Sequence, residues 1–199
     1  TSNEAIDYLN HQNIKSIIID HHDINKPYPK SNAIINPKKK SKNNEASLLC
    51  ATALTYLFID VLIKKTLSDF KLSKFLIYVL LATICDVMPL RKINKIIARK
   101  TLDDFNLKKN TAFNYIFDQH NLKKKMTVDD LGFLIGPIIN AGGRLNHSEY
   151  GVELLTSNDE KIIKDRSNKL INLNNKRKKI EEDILNEIDF EKIKKENSN

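Results

Sequence analysis

The stretch Ser16-Ile17-Ile18-Ile19-Asp20-His21-His22 decides how this chain is read. A β-branched run this short, flanked by polar residues, is a buried strand. Its abrupt change to one carboxylate and two imidazoles puts metal-ligating side chains at the strand's C-terminal end, where open α/β sheets bind their ligands. Neighbouring side chains on an extended backbone point to opposite faces, so His21 and His22 are expected to do different jobs, one at a metal ion and the other at a phosphate. The alternative is a solvated turn after a strand, because Asp23, Asn25 and Pro27 follow closely and favour turns. The tripeptide leaves both readings open until distant partners are found.

Working outward, the flanks give an α/β opening. Residues Asn3 to Asn10 have a helical pattern, and Asn32 to Asn36 read as a second short strand closed by Pro37. From Glu45 the spacing turns helical, first across Leu48, Leu49, Thr52, Ala53, Tyr56 and Leu57, then across Leu72, Phe75, Leu76, Val79 and Leu80. Shorter helices are predicted near Asn94 to Phe105, Thr111 to Gln119 and Val128 to Ile135, separated by Lys/Asn-rich loops. No internal repeat is present. From Asn158 to about Lys195 there is no Gly or Pro, and Ile162, Ile163, Leu170, Leu173 and Ile180 form a sparse apolar stripe, which predicts one long, polar helix.

Composition narrows the function classes. With 199 residues and 41% hydrophobic content the chain can build a real core. Its longest apolar stretches, such as Phe75 to Cys85, are too short to span a bilayer, and no secretory leader opens it, so a cytoplasmic location without membrane contact is the expectation. Cys50 and Cys85 lie in apolar stretches without Cys-x-x-Cys spacing and read as buried thiols. The net charge of +8 suits a polyanionic partner. A chain this rich in Lys, Asn and Ile would be basic for compositional reasons as well. The clusters Lys38-Lys39-Lys40, Lys123-Lys124-Lys125 and Lys176-Arg177-Lys178-Lys179 have no interleaved aromatic residues that could stack on bases, and each reads first as a solvated face.

Two further segments carry chemistry. Asp86 closes the apolar segment Leu80-Leu81-Ala82-Thr83-Ile84-Cys85, and Pro89 keeps that element from continuing. A carboxylate at the edge of a buried element needs a cation or a set of hydrogen bonds, which leaves a metal and a helix-end cap as its two explanations. Gly136-Pro137-Ile138-Ile139-Asn140-Ala141-Gly142-Gly143-Arg144 is the densest Gly/Pro cluster of the chain. It predicts a loop whose backbone approaches something closely or takes positive φ, with Gly142 and Gly143 able to form an anion nest, Asn140 offering an amide and Arg144 a planar fork for phosphate. A tight helix-to-helix turn with Arg144 in an ion pair is the structural alternative.

Taken in order, Ile17 to His22, Ala82-Thr-Ile-Cys-Asp-Val-Met-Pro-Leu90 and Gly136-Pro-Ile-Ile-Asn-Ala-Gly-Gly-Arg-Leu145 resemble the RecJ-type single-strand-specific 5′→3′ exonucleases of the DHH phosphoesterase superfamily. The likeness continues through Gly151-Val-Glu-Leu-Leu155 and the segment from Leu170 to Ile188, and so covers most of the chain. It implies an α/β fold: a partial DHH-type parallel sheet, then a mainly α-helical region and a long C-terminal helix. The implied divisions are residues 1–90 for the C-terminal part of a DHH domain, 91–157 for a helical part carrying the Asn-Ala-Gly-Gly-Arg loop, and 158–199 for a connecting helix.

By the same resemblance, His21 and Asp86 would ligate one ion of a dinuclear Mn2+ or Mg2+ centre. His22 would assist at the scissile phosphate with Asp20 orienting the histidines, and Asn140, Gly142, Gly143 and Arg144 would hold the phosphate of single-stranded DNA. RecJ-like proteins carry further metal-binding aspartates upstream, for which Glu4 and Asp7 are no substitute, and further substrate-binding domains downstream. The resemblance therefore implies an internal fragment with an incomplete second metal site, weak or absent activity alone, an exposed sheet edge, and the N- and C-terminal RecJ portions as candidate partner chains. Two alternatives stand beside it: a DHH phosphodiesterase of short oligonucleotides or cyclic dinucleotides, and a noncatalytic nucleic-acid-binding remnant.

Overall fold

The computed structural model describes residues 3–39, 44–66 and 69–187, and the chain divides into two compact units, Thr1–Phe105 and Asn106–Asn199. The first unit opens with α1 (Asn3–His11), whose Ile6 is buried, followed by β1 (Ile17–Ile19) and β2 (Ala33–Ile35). The two strands pair in parallel, Ile17 opposite Ala33 and Ile19 opposite Ile35. Parallel pairing needs a crossover, and here residues 20–32 supply it, bringing Asp20, His21 and His22 to the open end of the sheet. Ile17, the first residue of β1, is 55% exposed.

The rest of this unit is helical: α2 (Ala51–Thr66), a 3-10 turn at Leu72–Phe75, α3 (Leu76–Cys85) and α4 (Ile93–Asp104). Its core joins Leu49, Cys50, Ala53 and Leu54 to Val79 of α3, with Ile19 of β1 packed against them. The strand that delivers the histidines is thereby anchored on the helix that ends at Asp86. Of the two thiols, Cys50 is buried, as expected, and Cys85 is only partly so.

The second unit contains α5 (Thr111–Gln119), capped by Asn110 through the Phe113 amide at 3.0 Å, α6 (Val128–Asp130), α7 (Gly136–Arg144), α8 (Ser148–Thr156) and α9 (Glu160–Glu187). Phe113, Ile116, Phe117, Leu131, Ile135, Ile138, Leu154 and Leu170 are fully buried and form its interior. Helices α5, α7 and α8 all pack on α9. On α9 the packed stripe is Ile163, Ser167, Leu170 and Asn174, whereas Ile162 and Ile180 of the predicted stripe face solvent. Lys40, residues 188–195 of the predicted long helix and the end of the quoted match at Ile188 lie outside the described residues.

One expectation is overturned. The segment Gly136 to Arg144 is not a loop but helix α7, and among the described residues no glycine has positive φ. A π-helical turn at Leu131–Ile135 leads into it, with the Gly136 amide donating to the Leu131 carbonyl five residues back. Pro137 cannot donate to a carbonyl in the preceding turn and its ring crowds that turn. Widening the turn accommodates the proline while the helix continues.

Candidate metal centre

The local geometry of the first site follows from where β1 stops. Its last ladder bond runs from the Asp20 amide to the Ile35 carbonyl at 3.0 Å, and beyond it the Asp20 carboxylate takes over as acceptor. Oδ1 accepts from the backbone amides of His21 at 2.8 Å and His22 at 3.3 Å and meets the His22 Nδ1 at 2.7 Å. This turn cancels the alternation expected of an extended backbone. The two imidazole centroids lie 4.4 Å apart, and Asp20, His21 and His22 each offer a ligand atom within 4.8 Å of the others.

The partners of the two histidines nonetheless differ. A carboxylate on Nδ1 keeps the proton there and leaves the lone pair on Nε2, so His22, with a side chain 77% exposed, presents Nε2 outward. His21 is turned inward, its side chain only 12% exposed, and its Nε2 lies 3.7 Å from Oδ2 of Asp86. Burial pushes the Asp20 carboxyl up, but the His22 imidazole and the two amides outweigh it and hold Asp20 below the usual carboxylate range. Asp20 therefore stays anionic and keeps its grip on both histidines.

Asp86 is held by an unusual helix end. It is the C-cap of α3, followed by paired bonds from the Val87 amide to the Ile84 carbonyl and from the Met88 amide to the Thr83 carbonyl, both 3.0 Å. That is a Schellman ending, which normally places glycine where Val87 sits. Val87 takes φ 54°, a strained value for a β-branched residue. A carboxylate at a helix C-terminus is repelled by the helix dipole. The helix end is closed by backbone bonds, so the capping alternative does not account for the Asp86 side chain.

The donor set fits a divalent cation. Two donors each about 2.1 Å from a shared ion stand about 3 to 4 Å apart, and the 3.7 Å between His21 and Asp86 is too long for a hydrogen bond. Mixed imidazole and carboxylate ligands suit Mn2+.

Two residues that sequence reasoning missed support the site. Asn36, buried at the end of β2, donates to the His22 carbonyl at 3.0 Å and accepts from the Lys38 amide at 2.9 Å. Asn94, fully buried on α4, donates to the Leu48 carbonyl at 2.7 Å and the Pro89 carbonyl at 3.1 Å, tying the turn after Asp86 to the start of the helical core. The available signal was an Asn inside an otherwise apolar helix pattern.

In the second unit, Asn140, Gly143 and Arg144 are exposed on α7, and Arg144 makes no ion pair among the described residues. Gly142 is buried, and a Cβ there would lie 2.6 Å from the His147 carbonyl oxygen and 2.9 Å from Leu170 Cδ2. The close approach predicted for this segment is thus to the chain itself. Gly142 and Gly143 lie in the last helical turn, where amides point back along the helix, so they form no anion nest. The basic clusters have local partners: Lys38 with Asp23 at 3.2 Å, Lys39 over the Tyr28 ring at 4.9 Å, Lys124 with Asp130 at 2.7 Å, and Arg177 with Glu181.

A short parallel sheet ends in Asp-His-His and is backed by a helix ending in Asp, and residues 1–84 match the DHH family, N-terminal domain. Among curated proteins the chain is similar to RecJ exonucleases. It is 30% identical over 191 residues to the single-stranded-DNA-specific exonuclease RecJ of Haemophilus influenzae, covering 91% of this chain and 33% of that protein. To RecJ of Escherichia coli it is 27% identical, covering 92% and 34%. The chain spans about a third of the length of the curated relatives it matches.

Solved structures agree on the fold. RecJ from Thermus thermophilus in complex with Mn2+ superposes with TM-score 0.79 at 20% identity, over 90% of this chain and 27% of that one. An exonuclease RecJ bound to manganese gives TM-score 0.81 at 20% identity, over 94% and 47%. The Thermus protein has also been solved with Mg2+. Among the described residues no helix is long and apolar enough to cross a membrane.

Proposed function

We propose that this chain carries part of the catalytic centre of a RecJ-type, metal-dependent exonuclease that hydrolyses single-stranded DNA from its 5′ end in DNA repair and recombination. The observation that carries the reading is the pairing of His21 Nε2 with the Asp86 carboxylate across 3.7 Å, from segments far apart in the sequence. In this reading His21 and Asp86 hold one Mn2+ or Mg2+ of a dinuclear centre. When bound, such an ion polarises the phosphoryl oxygens and lowers the pKa of water for attack on phosphorus.

The chain's own residues do the rest. Asp20 fixes the His22 ring so that Nε2 faces outward, able to accept or return a proton at the scissile phosphate. Asn140 and Arg144 hold a backbone phosphate through an amide and a guanidinium fork. Gly142 contributes clearance for α7.

Manganese titration followed by electron paramagnetic resonance tests the centre without relying on turnover. His21→Ala and Asp86→Ala are each expected to weaken manganese binding at least about tenfold, while His22→Ala changes it less. Wild-type affinity in Asp86→Ala sinks the proposal. In a parallel assay on 5′-phosphorylated strands, faster hydrolysis of dinucleotides than of long single strands moves the substrate class to short oligonucleotides.

A further inference from the structure

We infer that Phe133 is a base-stacking residue, placed to receive a nucleobase of the strand whose phosphate Asn140 and Arg144 hold; this rests on the reading proposed above. The ring is 82% exposed, although it belongs to a helical turn whose neighbours Leu131 and Ile135 are fully buried. A single exposed apolar side chain needs no explanation by itself; what sets Phe133 apart is the company it keeps along its helix. It makes no ring contact among the described residues, unlike exposed Phe70 and Phe75, which stack on each other and lie under Lys74.

Its position on the helix supplies the ligand class. At about 100° per residue in the α stretch and less in the wider π turn, positions 133, 140 and 144 fall on one side of the continuous helix, away from Leu131, Ile135 and Ile138, which face the core. An aromatic ring, an amide and a guanidinium thus share one exposed ridge. The rise from Phe133 to Asn140 is about 10 Å at ~1.5 Å per residue, which a few nucleotides cover at ~3.4 Å or more per step.

Single-strand recognition combines cations that follow the backbone with aromatic faces on which bases stack. The lysine clusters have no interleaved aromatic residue, so they cannot supply the second half of that pairing. Phe133 can, on the same ridge as an Arg that has no acidic partner among the described residues.

The chain has no tryptophan, so Phe133→Trp installs a single fluorescent reporter at the proposed platform. With chelator present to prevent hydrolysis, the probe is a short single strand of oligodeoxythymidine, compared with an abasic strand of equal length and charge. Phe133→Trp emission is expected to be quenched by the base-bearing strand and unchanged by the abasic one. Phe133→Ala is expected to weaken binding of the base-bearing strand about tenfold and to leave the abasic strand unaffected.

Unquenched emission at saturating DNA overturns the inference, as does equal weakening of both strands by Phe133→Ala. If Arg144→Ala weakens both strands while the Phe133 variants change neither, stacking is lost and the phosphate-binding role of Arg144 stands. If the wild-type chain binds neither strand, both fall.

Discussion

The two units solve the problem of a small core in opposite ways. In Asn106–Asn199 large residues such as Phe113, Phe117, Leu131 and Leu170 are sealed inside, while α9 leaves Ile162 exposed before its last buried position, Asn174, and Ile180, Ile184 and Leu185 exposed after it. In Thr1–Phe105 a two-stranded sheet and α2 leave Ile17, Leu57, Val61 and Leu62 at 42% exposure or more. Yet the open unit carries the densest chemistry, gathering Asp20, His21 and His22 at the C-terminal end of its sheet with His22 exposed and His21 turned inward. The helical unit gains close fit and loses tolerance, and substitutions should therefore be felt differently in the two.

The sharpest way to break that contrast is at the adjacent glycines of α7. Gly142→Ala must push the His147 carbonyl or α9 away from a Cβ at 2.6 Å, and is expected to destabilise the helical unit by about 2 to 3 kcal/mol. Gly143→Ala has nothing within 4 Å to meet, and is expected to stabilise it by about 0.5 to 1 kcal/mol through helix propensity. Urea unfolding of the two variants checks both. Equal effects would show that α7 packs loosely and that the contrast between the units is wrong.

A smaller effect is expected from the cap of α6. Thr127 and Asp130 form a capping box in which the carboxylate accepts from the Thr127 amide at 2.8 Å and hydroxyl at 2.7 Å, with Lys124 at 2.7 Å. Burial pushes Asp130 up, but the Lys124 ammonium and the Thr127 bonds outweigh it and hold it below its ordinary value of 3.8. A lowered native pKa means that this stabilisation is present in full above that value and is lost as the pH falls through the lower native one. Stability of the helical unit should therefore decline as the pH drops below about 4. Asp130→Asn should lower stability by about 1 kcal/mol at neutral pH and flatten the decline. An unchanged acid profile in the variant would assign the decline to other carboxylates.

The same contrast explains what could be read from residues alone. Ser16 to Asp20, Thr111 to Gln119 and the end of α3 at Asp86 were legible because β-branched runs, helical spacing and a following proline are local signals. The joining of Asp86 to His21 was not local, and only the order of the three segments pointed to it. At Gly136 to Arg144 the Gly/Pro density signals a loop, yet the π turn absorbs Pro137 and the buried glycine serves clearance between helices, which no local pattern reveals. The bond from Asp20 to His22 depends on the chain leaving the strand just after Ile19. The Schellman ending at Val87 was invisible because its usual marker is a glycine.

That ending gives the smallest expected effect and the one that tests the open unit directly. An L-residue in the left-handed region costs about 1 to 2 kcal/mol, and Val87, 86% exposed, recovers almost nothing through burial. Val87→Gly removes that strain but adds about 0.5 to 1 kcal/mol of chain entropy to the unfolded state. The net expectation is a gain of about 0.5 kcal/mol, read as a higher urea midpoint for the first unit with the second unchanged. The bonds from the Val87 and Met88 amides that hold Asp86 at the helix end survive the substitution, so manganese affinity should stay at the wild-type level. A stabilised variant that binds manganese less tightly would mean that the valine's restricted backbone, and not the hydrogen bonds alone, aims the carboxylate at His21.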